Sequence, residues 1–290
     1  MTRQNPALPA FAVATCGALW GIYWLPLRWF ETQGIGGGWV SVVFSVTCLL
    51  CTLPWLCTAR AWNGARRELV TGLIIGTGFS LYTVSLVLTD VIHGILLFYL
   101  TPVWSTLAGW LLGRWPLTAH RVLAIILGFV GMGLILGVMD GLPIPRNPGD
   151  WLALASGMLW SWGTMRSFEK PSPGIALPVF GFAAGGLASS VGLLLVAGVA
   201  ALPLAQSAGL VANLPWIVLA ALIIFVPPNF MVLWASQRID PGRVGILLMT
   251  EVLVGALSAA LYSGEKFTWA DGLGTTLIVA SGLTEVLGRR

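Results

Sequence analysis

Apolar residues along the chain fall into ten runs of about 20, separated by short stretches that carry most of the charged side chains. A helix of that length crosses about 30 Å of hydrocarbon, whereas an outer-membrane barrel would show short alternating segments. The pattern therefore predicts an all-α membrane protein with ten transmembrane helices. These helices are expected over residues 8–28, 38–58, 69–88, 94–112, 122–138, 151–167, 175–203, 214–236, 242–262 and 270–288.

The composition agrees with a chain that lies almost wholly in a lipid bilayer. Of its 290 residues 57% are hydrophobic and 9% are charged, and the mean hydropathy is +0.88. Soluble domains carry about 25% charged residues. The net charge of +4 comes from scattered basic residues and not from a patch with stacking aromatics. The predicted partner is therefore the bilayer and not nucleic acid, and no folded soluble domain is expected.

Lysine and arginine predict the topology, because basic loops stay on the cytoplasmic side of a membrane. Twelve of the 15 basic residues fall in tails and loops on the side of the N-terminus. The other three are Arg28, Arg146 and Lys266. Both termini are therefore expected to be cytoplasmic.

Sequence matches predict an internal repeat. The motif Gly17–Trp20 in the first helix recurs 140 residues later as Gly157–Trp160. Two further matches keep the same order, at offsets of 151 and 149 residues: 94–97 with 245–248, and 73–75 with 222–224. A five-helix unit is thus predicted to occur twice, over residues 1–140 and 141–290. Because five is odd, the second unit enters the membrane from the opposite face, as in transporters with inverted repeats.

Weak points in the helices occur at corresponding positions of the two halves. Helix 3 has a Gly-Thr-Gly step near its centre, and helix 8 has a Pro-Pro-Asn step about 150 residues later; helix 4 has a proline at mid-depth. Proline removes a backbone donor and glycine lowers helix propensity, so such paired points are expected to flank a binding site at the midplane. Taken singly, each also fits ordinary helix packing. The expected hinges are Gly76, Gly78, Pro102, Pro227 and Pro228.

Glu251 is the only carboxylate that the sequence places near the middle of a predicted helix. A charge at that depth costs roughly 2.5–3.5 kcal/mol on insertion scales, so the group is expected to face a cavity, pair with a cation or carry a proton. The functional interpretation is a contact to a substrate amine or a proton-coupling site. The alternative is a buried carboxyl group that neighbouring hydroxyl groups satisfy.

Several aromatic residues lie too deep for the aromatic belt at the membrane surface. A cavity lined with such rings and few charges suits a ligand that is apolar or aromatic with a small polar head. The predicted substrate-binding residues are Trp20, Tyr82, Tyr99, Trp160, Asn229 and Glu251. His93 lies at the predicted external turn between helices 3 and 4, where it is either a gating residue or a polar loop end.

Enzymatic function is not expected. An intramembrane hydrolase needs a nucleophile and a base, or a metal cluster, at one depth. The sequence has no G-x-S-x-G or H-E-x-x-H motif and no histidine near a mid-membrane serine. Cys48 and Cys51 form a C-x-x-C pair without further ligands, so neither a metal nor another cofactor is predicted. A channel remains a third hypothesis, although an inverted repeat favours a carrier.

The ten helices in two inverted fives, with these glycine and tryptophan positions, resemble the drug/metabolite transporter superfamily and its EamA-type exporters. That family has a glutamate-proline step in the fourth helix of each repeat and a glycine-glutamate step at the end of that helix. This sequence keeps parts of the pattern and departs from it at Gly113, which arginine follows; the retained parts are Thr101-Pro102, Glu251-Val252 and Gly264-Glu265.

The tryptophan-rich helix starts and deep tyrosines are most similar to the bacterial aromatic amino acid exporter branch. The resemblance implies a multi-pass protein of the bacterial inner (plasma) membrane, present as a monomer or homodimer. It implies export of aromatic and other neutral amino acids and related amphipathic compounds by alternating access, through a cavity between helices 1, 3, 4, 6, 8 and 9. The alternative within the superfamily is export of drugs or other metabolites.

Overall fold

A computed structural model of the chain describes residues 7–35, 37–56, 65–89, 91–114, 116–135, 145–196, 204–262 and 268–287. Every regular element in these ranges is helical. The helices are α1 (Ala7–Gly21), α2 (Trp24–Thr32), α3 (Gly37–Leu56), α4 (Ala65–Leu88), α5 (Val91–Phe98), α6 (Thr101–Leu111), α7 (Ala119–Ile135), α8 (Pro148–Glu169), α9 (Ala176–Val196), α10 (Leu204–Ala220), α11 (Val226–Ala235), α12 (Pro241–Leu248), α13 (Thr250–Tyr262) and α14 (Trp269–Leu287). A π-helical turn, Ala221–Phe225, joins α10 to α11.

The helices have the length and apolar character of a membrane-embedded protein. Among the described residues, six segments are long and apolar enough to cross a bilayer: Ala7–Thr32, Trp39–Leu56, Ala65–Ser85, Gly94–Leu111, Gly209–Ala235 and Pro241–Ser258. Two further apolar helices are shorter, Ala119–Ile135 and Ala176–Gly192. The prediction of an all-helical membrane protein is confirmed at this level.

Four of the predicted segments are interrupted within their length. The first breaks at residues 22–23, the fourth at 99–100, the eighth at the π-helical turn and the ninth at Met249. Proline explains the first two breaks, since Pro26 and Pro102 lie in the first turns of α2 and α6 and lack the N–H that a continuous helix needs. The break at Met249 has no proline near it. The carbonyl groups that it frees accept from the hydroxyl groups of Tyr99 and Thr250.

The interruption expected at Gly76 and Gly78 is absent, because α4 runs through both residues without a break. A Cβ atom at Gly76 would overlap the carbonyl group of Phe182 on α9. A Cβ atom at Gly78 would lie 3.1 Å from the carbonyl oxygen of Ser156 on α8. The two glycines therefore bring α4 close to two neighbouring backbones, and this packing offsets the low helix propensity of glycine.

The centre of the molecule is formed by a set of mutually packed helices. Helix α1 packs against α11, α12 and α13, while α8 packs against α4, α5 and α6. Helix α4 also packs against α9, and α3 packs against both α9 and the π-helical turn. The two breaks of the fourth and ninth segments approach each other where α6 contacts α12.

Helices α7 and α14 pack against each other and also contact α12 and α13. A Cβ atom at Gly131 would lie 2.6 Å from the carbonyl oxygen of Gly274, and one at Gly274 would lie 2.5 Å from that of Gly131. The glycine faces of these helices are therefore used for packing within the chain.

Candidate functional site

A cluster of aromatic rings occupies the centre of the helices. The rings of Trp20 on α1 and Trp160 on α8 meet edge to face, with centroids 5.9 Å apart. Trp20 also contacts Phe79 of α4 at 5.1 Å. Trp160 contacts Phe98 of α5 at 6.1 Å, and Phe98 stacks on Tyr82 of α4 at 4.2 Å. Rings from four helices therefore form one continuous apolar surface, which is named the central aromatic cluster below.

Trp20 and Trp160 bring unused hydrogen-bond donors into this cluster. Trp160 is 0% exposed and Trp20 is 6% exposed, and neither indole N–H has a hydrogen-bond partner among the described residues. Trp24, by contrast, donates its indole N–H to the hydroxyl oxygen of Ser258 at 2.9 Å. A buried tryptophan usually finds a partner for its N–H, so two unbonded donors on adjoining rings are a feature that a ligand could satisfy.

Asn229 adds an unused acceptor close to Phe225, whose ring contacts Phe79. Its side chain is fully buried, and its Nδ2 donates to the carbonyl oxygen of Phe225 at 2.8 Å. Its Oδ1 has no hydrogen-bond partner in the part of the chain that the structure describes. Phe225 lies in the π-helical turn and contacts Phe79 at 6.1 Å. Such π-helical turns occur frequently at functional sites.

Glu251 lies in the first turn of α13 and is only partly buried. Its Oε2 lies 2.5 Å from the hydroxyl group of Tyr99, which stands at the break between α5 and α6. The ring of Tyr99 contacts Phe98 at 5.3 Å, so the carboxyl group adjoins the central aromatic cluster. The thiol of Cys16 and the hydroxyl of Tyr82 are within its electrostatic reach.

Two glycines pack against the backbone at the helix breaks. A Cβ atom at Gly17 of α1 would lie 2.9 Å from the Leu248 carbonyl oxygen, at the end of α12. A Cβ atom at Gly157 of α8 would lie 2.8 Å from the Phe98 carbonyl oxygen, at the end of α5. The glycines of the repeated sequence motif thus make the same kind of contact, each with a helix end in the other half of the chain.

The structure brings together most of the residues that the sequence predicts for the site. Trp20, Tyr82, Tyr99, Trp160 and Glu251 belong to one connected group. Asn229 connects to it through phenylalanine rings, and Pro102 packs against Gly245, whose added Cβ would lie 2.9 Å from the proline ring. His93 lies in the first turn of α5, and its side chain is outside the described residues.

The phenylalanines that link the predicted site residues were not themselves predicted from the sequence. Phe79 contacts Trp20, Phe182 and Phe225, and Phe98 contacts Tyr82, Tyr99 and Trp160. The spacing of Phe79 and Tyr82, three residues apart on one helix face, is a signal that could have identified the first of them.

Metal binding has no support in the described residues, where no three His, Cys, Asp or Glu side chains are grouped closely enough to hold an ion.

Comparison with known proteins shows that the whole chain shares a known fold. A solved crystal structure, described only as that of a protein, superposes with a TM-score of 0.73 over 99% of this chain and 98% of its own length. The two sequences are 20% identical, so the likeness concerns the fold alone. No protein-family model matches the sequence. No curated protein matches it significantly.

Proposed function

We propose that the protein is a transporter of the bacterial inner membrane that exports amino acids and related small amphipathic compounds by alternating access. The substrate class is aromatic and other neutral amino acids, which combine an apolar side chain with a compact zwitterionic head. The central aromatic cluster, with its unbonded polar atoms and the adjoining Glu251, is the proposed binding site.

The observation that carries the proposal is the pair of unbonded indole N–H groups on Trp20 and Trp160. Leaving a buried donor without a partner costs about 1–3 kcal/mol, so a ligand that accepts from both donors gains that energy. A carboxylate is a strong acceptor for such donors, because hydrogen bonds to an ionised group are roughly twice as strong as neutral ones.

The acceptors of the site suit the other end of the same molecule. Glu251 and the free Oδ1 of Asn229 can accept from an ammonium group. The aromatic rings between these polar groups suit an apolar side chain. An amino acid therefore supplies the group that each part of the site lacks.

The helix packing supports two inverted five-helix repeats, over residues 1–140 and 141–290, with cytoplasmic termini and ten membrane spans. The first predicted segment (α1) packs on the eighth (α11) and the ninth (α12 and α13). The sixth segment (α8) packs on the third (α4) and the fourth (α5 and α6). The second segment (α3) packs on the eighth at the π-helical turn, and the seventh segment (α9) packs on the third (α4). Each of these contacts has a counterpart with the halves exchanged, and Gly17 and Gly157 repeat this relation at single residues.

The helix breaks supply points at which the two halves can rearrange. Pro227 and Pro228 lie in the first turn of α11, just beyond the π-helical turn, and lack N–H donors, so the eighth segment is held by fewer backbone bonds there. Pro102 lies in the first turn of α6, next to the break of the fourth segment. In this structure Trp20 contacts both Trp160 and Phe79, so a ligand between these rings requires them to separate.

The proposal is tested with purified protein in liposomes, by measuring flux of labelled phenylalanine, methionine and threonine. Saturable flux that unlabelled amino acids compete with is expected. Phenethylamine, which keeps the ring and ammonium but lacks the carboxylate, should compete far less well, because it cannot accept from the indole groups. Equal competition by the amine would favour a drug or cation exporter, and no saturable flux of any small amphiphile would overturn the proposal.

A further inference from the structure

The break before α13 leaves carbonyl groups outside the helical hydrogen-bond pattern, and that of Leu248 is one of them. The N–H of Val252 donates to the carbonyl oxygen of Met249 at 3.1 Å and not to that of Leu248, four residues back. The Leu248 carbonyl oxygen instead lies 3.0 Å from the hydroxyl group of Tyr99. Tyr99 stands at the break between α5 and α6 and is 1% exposed. A single hydroxyl group therefore joins the breaks of the fourth and ninth segments.

Tyr99 has one hydroxyl proton but two acceptors within reach. These are the Leu248 carbonyl oxygen at 3.0 Å and Glu251 Oε2 at 2.5 Å. When Glu251 is a free carboxylate, the charge-assisted bond takes the proton, and Leu248 receives none from Tyr99. When Glu251 is protonated, it donates to the Tyr99 oxygen, and the phenol proton then bonds Leu248. Both groups are satisfied only in the second arrangement.

A substrate ammonium on Glu251 has the same consequence as a proton. The ammonium neutralises the carboxylate and donates to it, so the Tyr99 proton is again free to bond the Leu248 carbonyl oxygen. Occupancy of Glu251, by a proton or by an ammonium group, therefore decides whether the backbone at the helix break is bonded.

We propose that Tyr99 is a positioning residue that links the occupancy of Glu251 to the geometry of the break between α12 and α13. The inference rests on the proposed function, whose substrate carries the ammonium group. Proton and ammonium compete for one carboxyl group: the ammonium binds as the O–H bond of protonated Glu251 breaks, and the released proton leaves to water. Substrate and proton then occupy the site in alternation.

Few of the described titratable groups lie near Glu251, where the proton and the substrate ammonium compete. Among the described residues, Tyr99, the hydroxyl of Tyr82 on α4 and the thiol of Cys16 on α1 interact with it. Thr250 directs its hydroxyl group away, to the carbonyl oxygens of Ala14 and Leu247. Helices α7 and α14 also pack against α13, and their described charged side chains, Arg121 and Asp271, lie in the first turns of those helices.

The first measurement is proton release when phenylalanine is added to the purified protein in weak buffer with a pH-sensitive dye. Up to about one proton per bound molecule is expected, falling as the pH rises and Glu251 loses its proton beforehand. Glu251→Gln should release none. Glu31→Gln, an exposed carboxyl group at the end of α2, is the matched control and should release as much as the unchanged protein.

The second measurement is the pH profile of phenylalanine flux in liposomes. Tyr99→Phe should move its midpoint by about 0.5–1 pH unit, because the charge-assisted hydrogen bond lost from the carboxylate is stronger than the bond lost from protonated Glu251. In the Glu251→Gln background, Tyr99→Phe should change no pH dependence. Tyr262→Phe, the same substitution at a 72% exposed position at the end of α13, should leave the profile unchanged.

The outcomes separate this inference from the proposed function. Saturable flux that ignores pH, without proton release, overturns the role of Tyr99 and Glu251 and leaves the exporter proposal standing. A purely structural Tyr99 would lower flux equally with and without Glu251, and that result also overturns the inference. Absence of any saturable flux overturns both.

Discussion

The indole groups of Trp20 and Trp160 have ring contacts but no hydrogen-bond partner within the described ranges of the chain. Trp160 is fully buried, whereas Trp162, two residues along the same helix, is 49% exposed. Sequence alone places both in one helix. Only the structure separates a tryptophan in the central aromatic cluster from one on the outer surface of α8.

Trp160→Phe is expected to weaken phenylalanine binding about 5- to 15-fold, because a hydrogen bond worth about 1–1.5 kcal/mol to the substrate carboxylate is lost. Saturation of flux in liposomes measures the change. Phenethylamine binding should fall much less, since that compound has no carboxylate to lose.

Trp162→Phe is the matched control for this prediction, because it makes the same change outside the cluster. Its saturation curve should equal that of the unchanged protein. If both variants weaken binding alike, or if Trp160→Phe affects acid and amine equally, the indole N–H does not bind the carboxylate.

The sequence predicted the deep residues of the site but not how they connect. Depth along a helix follows from position between charged loops, which suffices for Trp20, Trp160 and Glu251. The bond between Tyr99 and Glu251 joins residues 152 positions apart and depends on two helix breaks meeting. Phe79 and Phe98 are ordinary apolar residues in sequence, and only tertiary packing gives them their linking role.

Among the helices, the two glycines of the repeated sequence motif each pack against a helix end, Gly17 at Leu248 and Gly157 at Phe98. Gly17→Ala and Gly157→Ala should each destabilise the protein by about 1–3 kcal/mol, because the added Cβ meets backbone that cannot move aside easily. For Gly157 that backbone is the Phe98 carbonyl oxygen, 2.8 Å away. Thermal unfolding in detergent measures the effect.

Gly192→Ala tests whether the loss comes from close packing and not from the substitution itself. A Cβ atom there would meet nothing within 4 Å, and alanine favours the α9 helix, so the unfolding temperature should stay equal or rise. A large loss for only one of the two motif glycines would contradict their equivalence.

Proline marks two of the helix breaks, of which only one was predicted from the sequence. Pro102 was expected to interrupt the fourth segment, whereas the break that Pro26 imposes at residues 22–23 was not predicted. The break at Met249 has no proline to mark it in the sequence. It depends on hydroxyl groups of Tyr99 and Thr250, which bond the freed carbonyl groups of Leu248 and Leu247. Conversely, Gly76 was expected to interrupt its helix, but α4 is continuous there and Gly76 packs against Phe182. The close contact between α4 and α9 outweighs the low helix propensity of one glycine.

At the scale of the whole molecule, a buried ion pair joins the halves at the end predicted to be cytoplasmic. Arg121 Nη2 at the start of α7 lies 2.8 Å from Asp240 Oδ2. Asp240 also caps α12, because its Oδ1 accepts from the N–H of Arg243 at 3.1 Å. Any rearrangement that opens this end between α7 and α12 has to break the pair.

Asp240→Asn should destabilise the protein by about 3–5 kcal/mol, since it removes the charge partner of a buried arginine. Asparagine remains a good helix cap, so the change tests the ion pair and not the cap. The control is Glu169→Gln, in a pair whose Arg114 side chain is 53% exposed, where a loss of about 0–1 kcal/mol is expected. Equal losses in thermal unfolding would contradict the role given to the buried pair.

A structure determined with phenylalanine bound would show whether the buried aromatic rings and unbonded polar atoms form the site for an amphipathic amino acid. We expect the ligand between Trp20 and Trp160, with its carboxylate on their indole N–H groups and its ammonium at Glu251. Phenylalanine bound only at the outer surface, with the two tryptophan rings still in contact, would contradict this expectation.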